Sequence, residues 1–385
     1  MSDLIGRGRR TVIESERLMP SEGTADLPRW RTMSSSLRAA LRRPIFQRIL
    51  FYGGTLAAIA GFGAYCSCMP GSNRAALNGV TAAGTETGKA TGAATGTSTA
   101  EELRRSVTML ASTIGPRSTE APRGLEEAAT WLATELRRCG YEVQEERFLA
   151  GSPPQEVRNL SATRTGSDPA LPMLVVGAHY DAVSTMPGAD DNASGTAAAL
   201  LLARRFSLRA PKRTVRFVFF TNEEPPHFQT DTMGSRIAAD RARLRGDKIA
   251  VMLSLETLGF YSDAEGSQSV PGALALLYPS RGNFVAFVGS LAARSEVRDL
   301  VGRFRETGRL PAEGAALPTM IPGVMYSDHE SYERAGYPAV MVTDTAFDRN
   351  KNYHEKTDLP ATLDYPRFAS AVEGLDEVLV ARSNE

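Results

Sequence analysis

Between Val175 and Gly195 the chain reads VVGAHYDAVSTMPGADDNASG, a stretch that concentrates side chains able to hold a metal ion. His179 and Asp181 end an apolar run, and the acid pair Asp190 and Asp191 follows a Pro187-Gly188 turn. Two clusters lie downstream, Asn222-Glu223-Glu224 and Tyr353-His354, and Glu256 closes another apolar run. Imidazole and carboxylate together suit zinc or another borderline divalent ion. Three carboxylates with two imidazoles can satisfy two dications, whereas one ion would leave negative charges unpaired. Neighbouring Glu223 and Glu224 project differently, so one can ligate while the other stays free as a base. The chemistry implied is hydrolysis by a metal-activated water.

Taken singly, each cluster has a plainer role. A His-x-Asp at a strand end caps or faces solvent, and Asp190-Asp191-Asn192 makes a turn with a helix cap. Glu223-Glu224 alone is a solvated loop, and His354 alone a surface histidine. The chain has only four histidines, however, and His179 and His354 fall where a shared site needs them.

Such a site requires strand ends to deliver its members. The pattern predicts strands at 173–178, 214–220, 249–255 and 339–342, each leading into one of the clusters. Helices are expected at 195–206, with Asn192 or Ser194 as cap, at 233–244, 328–335 and 365–381, and as one long helix over 284–306. Tyr141 to Phe148 and Asn159 to Thr165 alternate like an early antiparallel pair, after helical stripes at Leu103-Val107-Leu110 and Leu125-Ala129-Leu132-Leu136. Segments 221–232 and 307–325, rich in Pro and Gly, are expected to be long loops. Alternating strands and helices indicate an α/β domain: a mixed, mostly parallel β-sheet flanked by helices on both faces. Ligands then gather at the carboxyl ends of the strands.

The 385 residues are 42% hydrophobic and carry no net charge, so nothing points to a nucleic-acid partner. Residues 1–48 hold ten Arg and five acids and are expected to form a disordered basic tail. Ile49 to Cys68 supplies twenty residues without a charge, which predicts a membrane-spanning anchor with the N-terminus cytoplasmic and the remainder outside. Export with cleavage of this segment is the alternative. Residues 69–100, mostly Ala, Gly, Thr and Ser, are expected to be a flexible linker, with the folded domain spanning 101–385. That domain contains one cysteine, Cys139, so no internal disulfide can form.

Six motifs together resemble the M28 family of zinc aminopeptidases: AHYD (178–181), PGADDNASG (187–195), FTNEE (220–224), SLETLG (254–259), SDHESYERAGYPAV (327–340) and NYHEKTD (352–358). The likeness covers most of Thr113 to Tyr365, including Ile114-Gly115-Pro116-Arg117. It implies a zinc-peptidase-like fold and two zinc ions, with Asp191 bridging, His179 and Glu256 completing one ion, and Glu224 and His354 the other. Glu223 becomes the general base, Asp181 orients the His179 imidazole, and Tyr353 stabilises the tetrahedral intermediate. The family commonly has Asp where this chain has Glu256. The implied substrate is a peptide with a free N-terminus, and His227 and Phe228, on the loop after the glutamates, are expected to wall its pocket. Asp328 and His329 are expected to be a hydrogen-bonded pair with a pocket role open. Two competitors are a glutaminyl-cyclase-like acyltransferase holding a single zinc and a non-catalytic ectodomain that binds a partner.

Overall fold

Short runs of Val, Phe, Leu and Met, each bounded by polar turns, set the centre of the molecule. The computed structural model describes residues 68–70, 98–270 and 272–385. Its strands are β1 (Cys68–Met69), β2 (Val143–Ala150), β3 (Gln155–Arg164), β4 (Met173–His179), β5 (Val215–Phe220), β6 (Ile249–Glu256), β7 (Val285–Ser290), β8 (Ala312–Leu317) and β9 (Ala339–Thr343). The helices are α1 (Thr99–Thr108), α2 (Pro122–Arg138), α3 (Gly195–Ser207), α4 (Gly234–Arg245), α5 (Arg294–Glu306), α6 (His329–Arg334), α7 (Ala346–Arg349) and α8 (Tyr365–Ser383). One mixed sheet runs β1-β8-β7-β9-β6-β4-β5-β3-β2. Strands β9, β6, β4 and β5 form a parallel centre, and only β3, β7 and β8 run against the other six.

Successive residues of a strand point to opposite faces. Leu174, Val176 and Ala178 of β4 join Phe217 and Phe219 of β5 and Leu253 of β6 in a core covered by α1, α2, α3, α5 and α8. Val175, Val218, Phe220 and Met252 face the other way, under α4 and α6. After β4 the chain passes through α3 to β5 on one side, then through α4 to β6 on the other. This reversal, with helices on opposite faces, opens a crevice at the carboxyl ends of β4 and β6, the place where open α/β sheets hold ligands. His179 and Glu256 are the last residues of those two strands.

Two expectations fail. The long helix over 284–306 is instead β7, a short turn, and α5. A run such as Val285-Ala286-Phe287-Val288 satisfies either period, and pairing with β8 and β9 decides for strand. The expected loop 307–325 contains β8, whose sequence AEGAAL has little strand propensity and is ordered by its parallel partner β7. Residues 1–67 and 71–97, which hold the expected tail, nearly all of the expected anchor and most of the linker, lie outside the described residues. Cys68, read as the end of that anchor, pairs with Ala315 in β1, and α1 starts at Thr99 with the Ser98 side chain accepting from the Glu101 amide. Among the described residues no helix is long and apolar enough to cross a membrane.

Phe287 tests the strand assignment. It is fully buried and its ring lies 5.4 Å from that of Phe304 on α5. Phe287→Ala is expected to cost about 3–5 kcal/mol in urea unfolding. A loss below about 1 kcal/mol would contradict the packing of β7 against α5.

Candidate metal centre

The site is assembled from four loops that leave the carboxyl ends of the central strands. β4 ends in His179, whose carbonyl accepts from Thr196 Oγ1 at 2.7 Å. The chain then turns at Gly188, whose φ of 58° and whose approach to the Asp191 carbonyl, 2.3 Å from where a Cβ would lie, exclude other residues. Asp190 and Asp191 part company here. Asp190 turns into the protein, accepting from the Gly259 amide at 2.9 Å and Asn350 Nδ2 at 2.8 Å, while Asp191 turns into the site. Glu223 and Glu224 follow β5, Glu256 ends β6, and His354 lies on the loop after α7.

Asp191 stands between the two histidines. Its Oδ1 is 3.4 Å from His179 Nε2 and its Oδ2 is 3.0 Å from His354 Nε2. His179 Nε2 is also 3.3 Å from Glu256 Oε2, and His354 Nε2 is 3.3 Å from Glu224 Oε2. Two groups result, His179–Asp191–Glu256 and Asp191–Glu224–His354, each with donor atoms within 4.8 Å of one another. Among the described residues Glu223 belongs to neither group; its Oε2 is 3.9 Å from His179 Nε2.

The donor set fits a pair of divalent ions. His179 Nε2, His354 Nε2 and Glu224 Oε1 are buried without a hydrogen-bond partner, although carboxylate and imidazole atoms face one another around them. Buried polar atoms are nearly always paired, so groups gathered this way require a cation or protons between them. The protonation behaviour agrees. Burial pushes Glu224 up, reinforced by Asp191, to about 8. Burial likewise raises Glu223 well above the usual carboxylate range. Burial would lower His354, but Asp191 and Glu224 outweigh it and hold it at about 10.

The surrounding residues fix these side chains. Asp181 lies 3.4 Å from His179 Nδ1 and accepts from the backbone amides of Glu223 and Glu224, both at 3.2 Å. Asn192 donates to the Leu255 carbonyl at 2.9 Å and accepts from the amides of Gly195 and Thr257 at 2.9 and 3.1 Å. It therefore caps α3 and ties the Asp191 loop to β6. Ser194 instead donates to the Asp190 carbonyl and accepts from the Leu258 amide. Asp358 accepts from the amides of Asp190 and Asp191, linking them to the loop of His354. Ser327 Oγ donates to Glu256 Oε2 at 2.7 Å. Sequence reasoning named none of Asp358, Ser327 or Arg117 as a site residue. Polar residues at loop ends carry no periodic signal that separates a buried anchor from a solvated turn.

A cleft of about 200 Å³ opens onto the site, lined by Glu223, Glu224, Pro225, Phe228, Tyr326 and Tyr353, together with Asp191, Glu256 and His354. Tyr353 stacks on the His354 ring at 3.9 Å, and burial keeps its hydroxyl protonated. Phe228, expected as a pocket wall, faces the cleft. His227 does not: its ring is held by Thr119 Oγ1 at 3.1 Å and Thr232 Oγ1 at 2.8 Å, which pins the loop. Asp328 and His329 are fully buried and do not line the cleft, nor do they bond to each other. His329 Nε2 meets the Val324 carbonyl at 2.7 Å, and burial lowers the ring to about 4. Asp328 is raised by burial to about 7, within the field of His179 and Glu256.

The model of peptidase family M28 matches residues 159–378. An uncharacterized protein, YfbL, of Escherichia coli K12 is 36% identical over 72% of this chain and 87% of its own length. A probable zinc metalloprotease of Pyrenophora tritici-repentis is 27% identical over 68% of this chain, which spans 59% of that protein. Among solved structures, BSAP, a zinc aminopeptidase from Bacillus subtilis, superposes with a TM-score of 0.58 over 74% of this chain and 95% of that one, at 14% identity. A glutaminyl cyclase from Tannerella forsythia does so at 0.55, over 73% and 98%, at 19% identity. These two likenesses show the fold.

Metal should stabilise the chain more as pH rises. Glu224 is raised in the fold from an ordinary 4.5 to about 8, so its contribution is fully present below about 4.5 and is lost as pH climbs through 8. His354 acts in the same direction, being raised from 6.5 to about 10. The metal-free fold therefore weakens across this window, while ion binding needs the deprotonated donors. The Tm difference between zinc-loaded and chelator-treated protein is expected to be larger near pH 8 than near pH 5.5. A flat or reversed difference would show that these groups do not share an ion.

Proposed function

The chain belongs to peptidase family M28, and on that premise we propose that it is a zinc-dependent aminopeptidase working with two ions. The observation that carries this reading is Asp191, with one carboxylate oxygen toward each histidine and Glu223 left outside both donor groups. His179, Asp191 and Glu256 would hold one zinc, and Asp191, Glu224 and His354 the other. Bound zinc supplies Lewis acidity, making a water nucleophilic near neutral pH and polarising a peptide carbonyl. Glu223 takes the proton of the attacking water and returns it to the leaving amine. Asp181, 3.4 Å from His179 Nδ1, would take its N–H and hold the ring with Nε2 toward the donors. The Tyr353 hydroxyl donates to the oxyanion as charge develops. The substrate's free α-amine is a cation that the acid-lined cleft favours, which makes the enzyme an exopeptidase.

Beside the cleft lies an apolar cavity of about 100 Å³, lined by Val270, Leu274, Phe284, Ile321, Val324 and Phe347 among others. Tyr326 of the cleft and Phe347 of the cavity are in ring contact at 5.9 Å. This supports an apolar side chain on the N-terminal residue of the substrate. For the whole chain, the uncharged run 49–67 is proposed to anchor the catalytic domain outside a membrane, with residues 1–48 on the cytoplasmic side. A single-zinc acyltransferase of the glutaminyl cyclase kind, or an inactive partner-binding domain, would bind one zinc or none. Metal content therefore separates the three readings.

The adjacent glutamates give the sharpest test of mechanism. Glu223→Gln should retain both zincs and lower kcat by about 100-fold or more, with KM little changed. Glu224→Gln should weaken one zinc, with activity partly restored at high zinc. The opposite pattern would exchange their roles, and unchanged rates in both would end the peptidase reading. On a panel of aminoacyl anilides, leucyl and methionyl substrates should exceed glutamyl and lysyl ones by at least about tenfold in kcat/KM, the scale for placing an apolar group in such a pocket. A preference for charged residues would rule out the apolar cavity as the binding place.

A further inference from the structure

Among the described residues Arg117 is one of the largest fully buried side chains, and nothing in the reaction just described uses it. Its guanidinium reaches five backbone carbonyls. Nε donates to Tyr180 O at 2.8 Å; Nη1 lies 3.0 Å from Leu110 O, 3.0 Å from Gly115 O and 2.7 Å from Pro187 O; and Nη2 donates to Gly188 O at 2.9 Å. Its own carbonyl accepts from the Ala182 amide at 2.9 Å. Tyr180 lies between His179 and Asp181, and Pro187 and Gly188 lead into Asp191. One side chain thus joins the two ends of the β4–α3 loop, which carry His179 and Asp191, to each other and to the α1–α2 connection. No lysine could do the same, since a single ammonium cannot span carbonyls spread around a planar fork.

We propose that Arg117 is a positioning residue of the metal centre, setting the separation of His179 and Asp191 and with it the affinity of the ion held by His179, Asp191 and Glu256. This rests on the two-zinc reading above. The second ion depends less on Arg117, because Asp358 ties Asp191 to the loop of His354 through backbone amides and Arg117 touches neither Glu224 nor His354. The charge contributes as well. Arg117 lies in the field of Asp181, Asp358, Asp191 and Glu224, and although burial lowers it to about 10 it remains a cation at neutral pH. It offsets part of the acid excess behind the site without competing for the ligand atoms, since its bonds all go to carbonyls. Groups that orient ligands in this way commonly govern metal affinity by 10- to 100-fold.

The test uses the full chain, stripped with a chelator and titrated with zinc against a chromophoric chelator. A His354→Ala background leaves only the first donor group intact, and a Glu256→Ala background only the second. In the first background Arg117→Ala should weaken zinc by at least about tenfold, and millimolar guanidinium should recover part of that loss. In the second background the change should be several times smaller. Arg117→Lys, which keeps the charge and perturbs folding least, should show the same site selectivity to a smaller extent and carries the test if the alanine variant does not fold. Unchanged zinc affinity in a folded variant whose Tm has fallen would mean that Arg117 only supports the fold, and would overturn the proposal. Equal losses at both ions, or full restoration by lysine, would overturn it too. If the unaltered chain binds no zinc, the two-zinc reading fails first, and that result is distinct from the others.

Discussion

Six acid and imidazole side chains lie within a few ångströms of one another inside this protein, and the rest of the structure answers to that crowding. An unpaired buried charge costs several kcal/mol, so the group is tolerable only with cations or protons among its members. The protein's own cations do not enter the donor set. Arg117 lies behind it with its donors committed to carbonyls. Asp191 shows the tension: burial would raise it, yet the two histidines draw it well below the usual range, while neighbouring Glu256 is raised. One carboxylate thus stays ionised between two imidazoles while its neighbours are pushed toward protonation.

Holding the donors has a conformational cost that the loops carry locally. Asn222, just before the glutamates, Thr257, just after Glu256, and His354 itself all have left-handed backbone, with φ of 59°, 45° and 60°. Such residues cost about 1–3 kcal/mol each and persist where surrounding bonds over-determine them. Each has an anchor. Thr257 N is bonded to Asn192 Oδ1, and its hydroxyl meets Thr343 Oγ1 at 2.9 Å. Asn222 Nδ2 meets the Thr232 carbonyl at 3.3 Å, closing the loop that His227 also pins. His354 is covered by the stacked ring of Tyr353. The loops are irregular in path but have little freedom to move their ligands apart.

The parts of the molecule legible in the sequence were those with a period or a strong local type. The runs 173–178, 214–220, 249–255 and 339–342 announce strands, and strand ends in an α/β sheet announce a common rim, so the candidate ligands gather before any geometry. Val285 to Val288 read as the start of a helix but form β7, because four apolar residues fit a helix or a strand and only the neighbours β8 and β9 choose. Ala312 to Leu317 carried still less information: small residues with one Glu resemble a loop, yet all but one are buried once a parallel partner supplies the hydrogen bonds. Histidines misled in the opposite sense. His227, expected in the pocket wall, is occupied pinning its loop, and His329, expected to pair with Asp328, meets the Val324 carbonyl instead.

The different placing of Glu223 and Glu224 is the point where sequence alone has least to offer, since the two are adjacent and chemically the same. The backbone supplies the difference. In an extended strand residues two apart share a face, so His179 and Asp181 are presented together at the end of β4. Asp181 receives the amide of Glu223 on one oxygen and the amide of Glu224 on the other. Two successive N–H groups aimed at one carboxylate form a concave turn, with the left-handed Asn222 just before it. Side chains on such a turn diverge, and these do: Glu224 goes to His354 at 3.3 Å, and Glu223 to the His179 side of the cleft at 3.9 Å. The His-x-Asp and Glu-Glu motifs are therefore one device, in which the aspartate beside the histidine also sets which glutamate faces His354 and which faces His179.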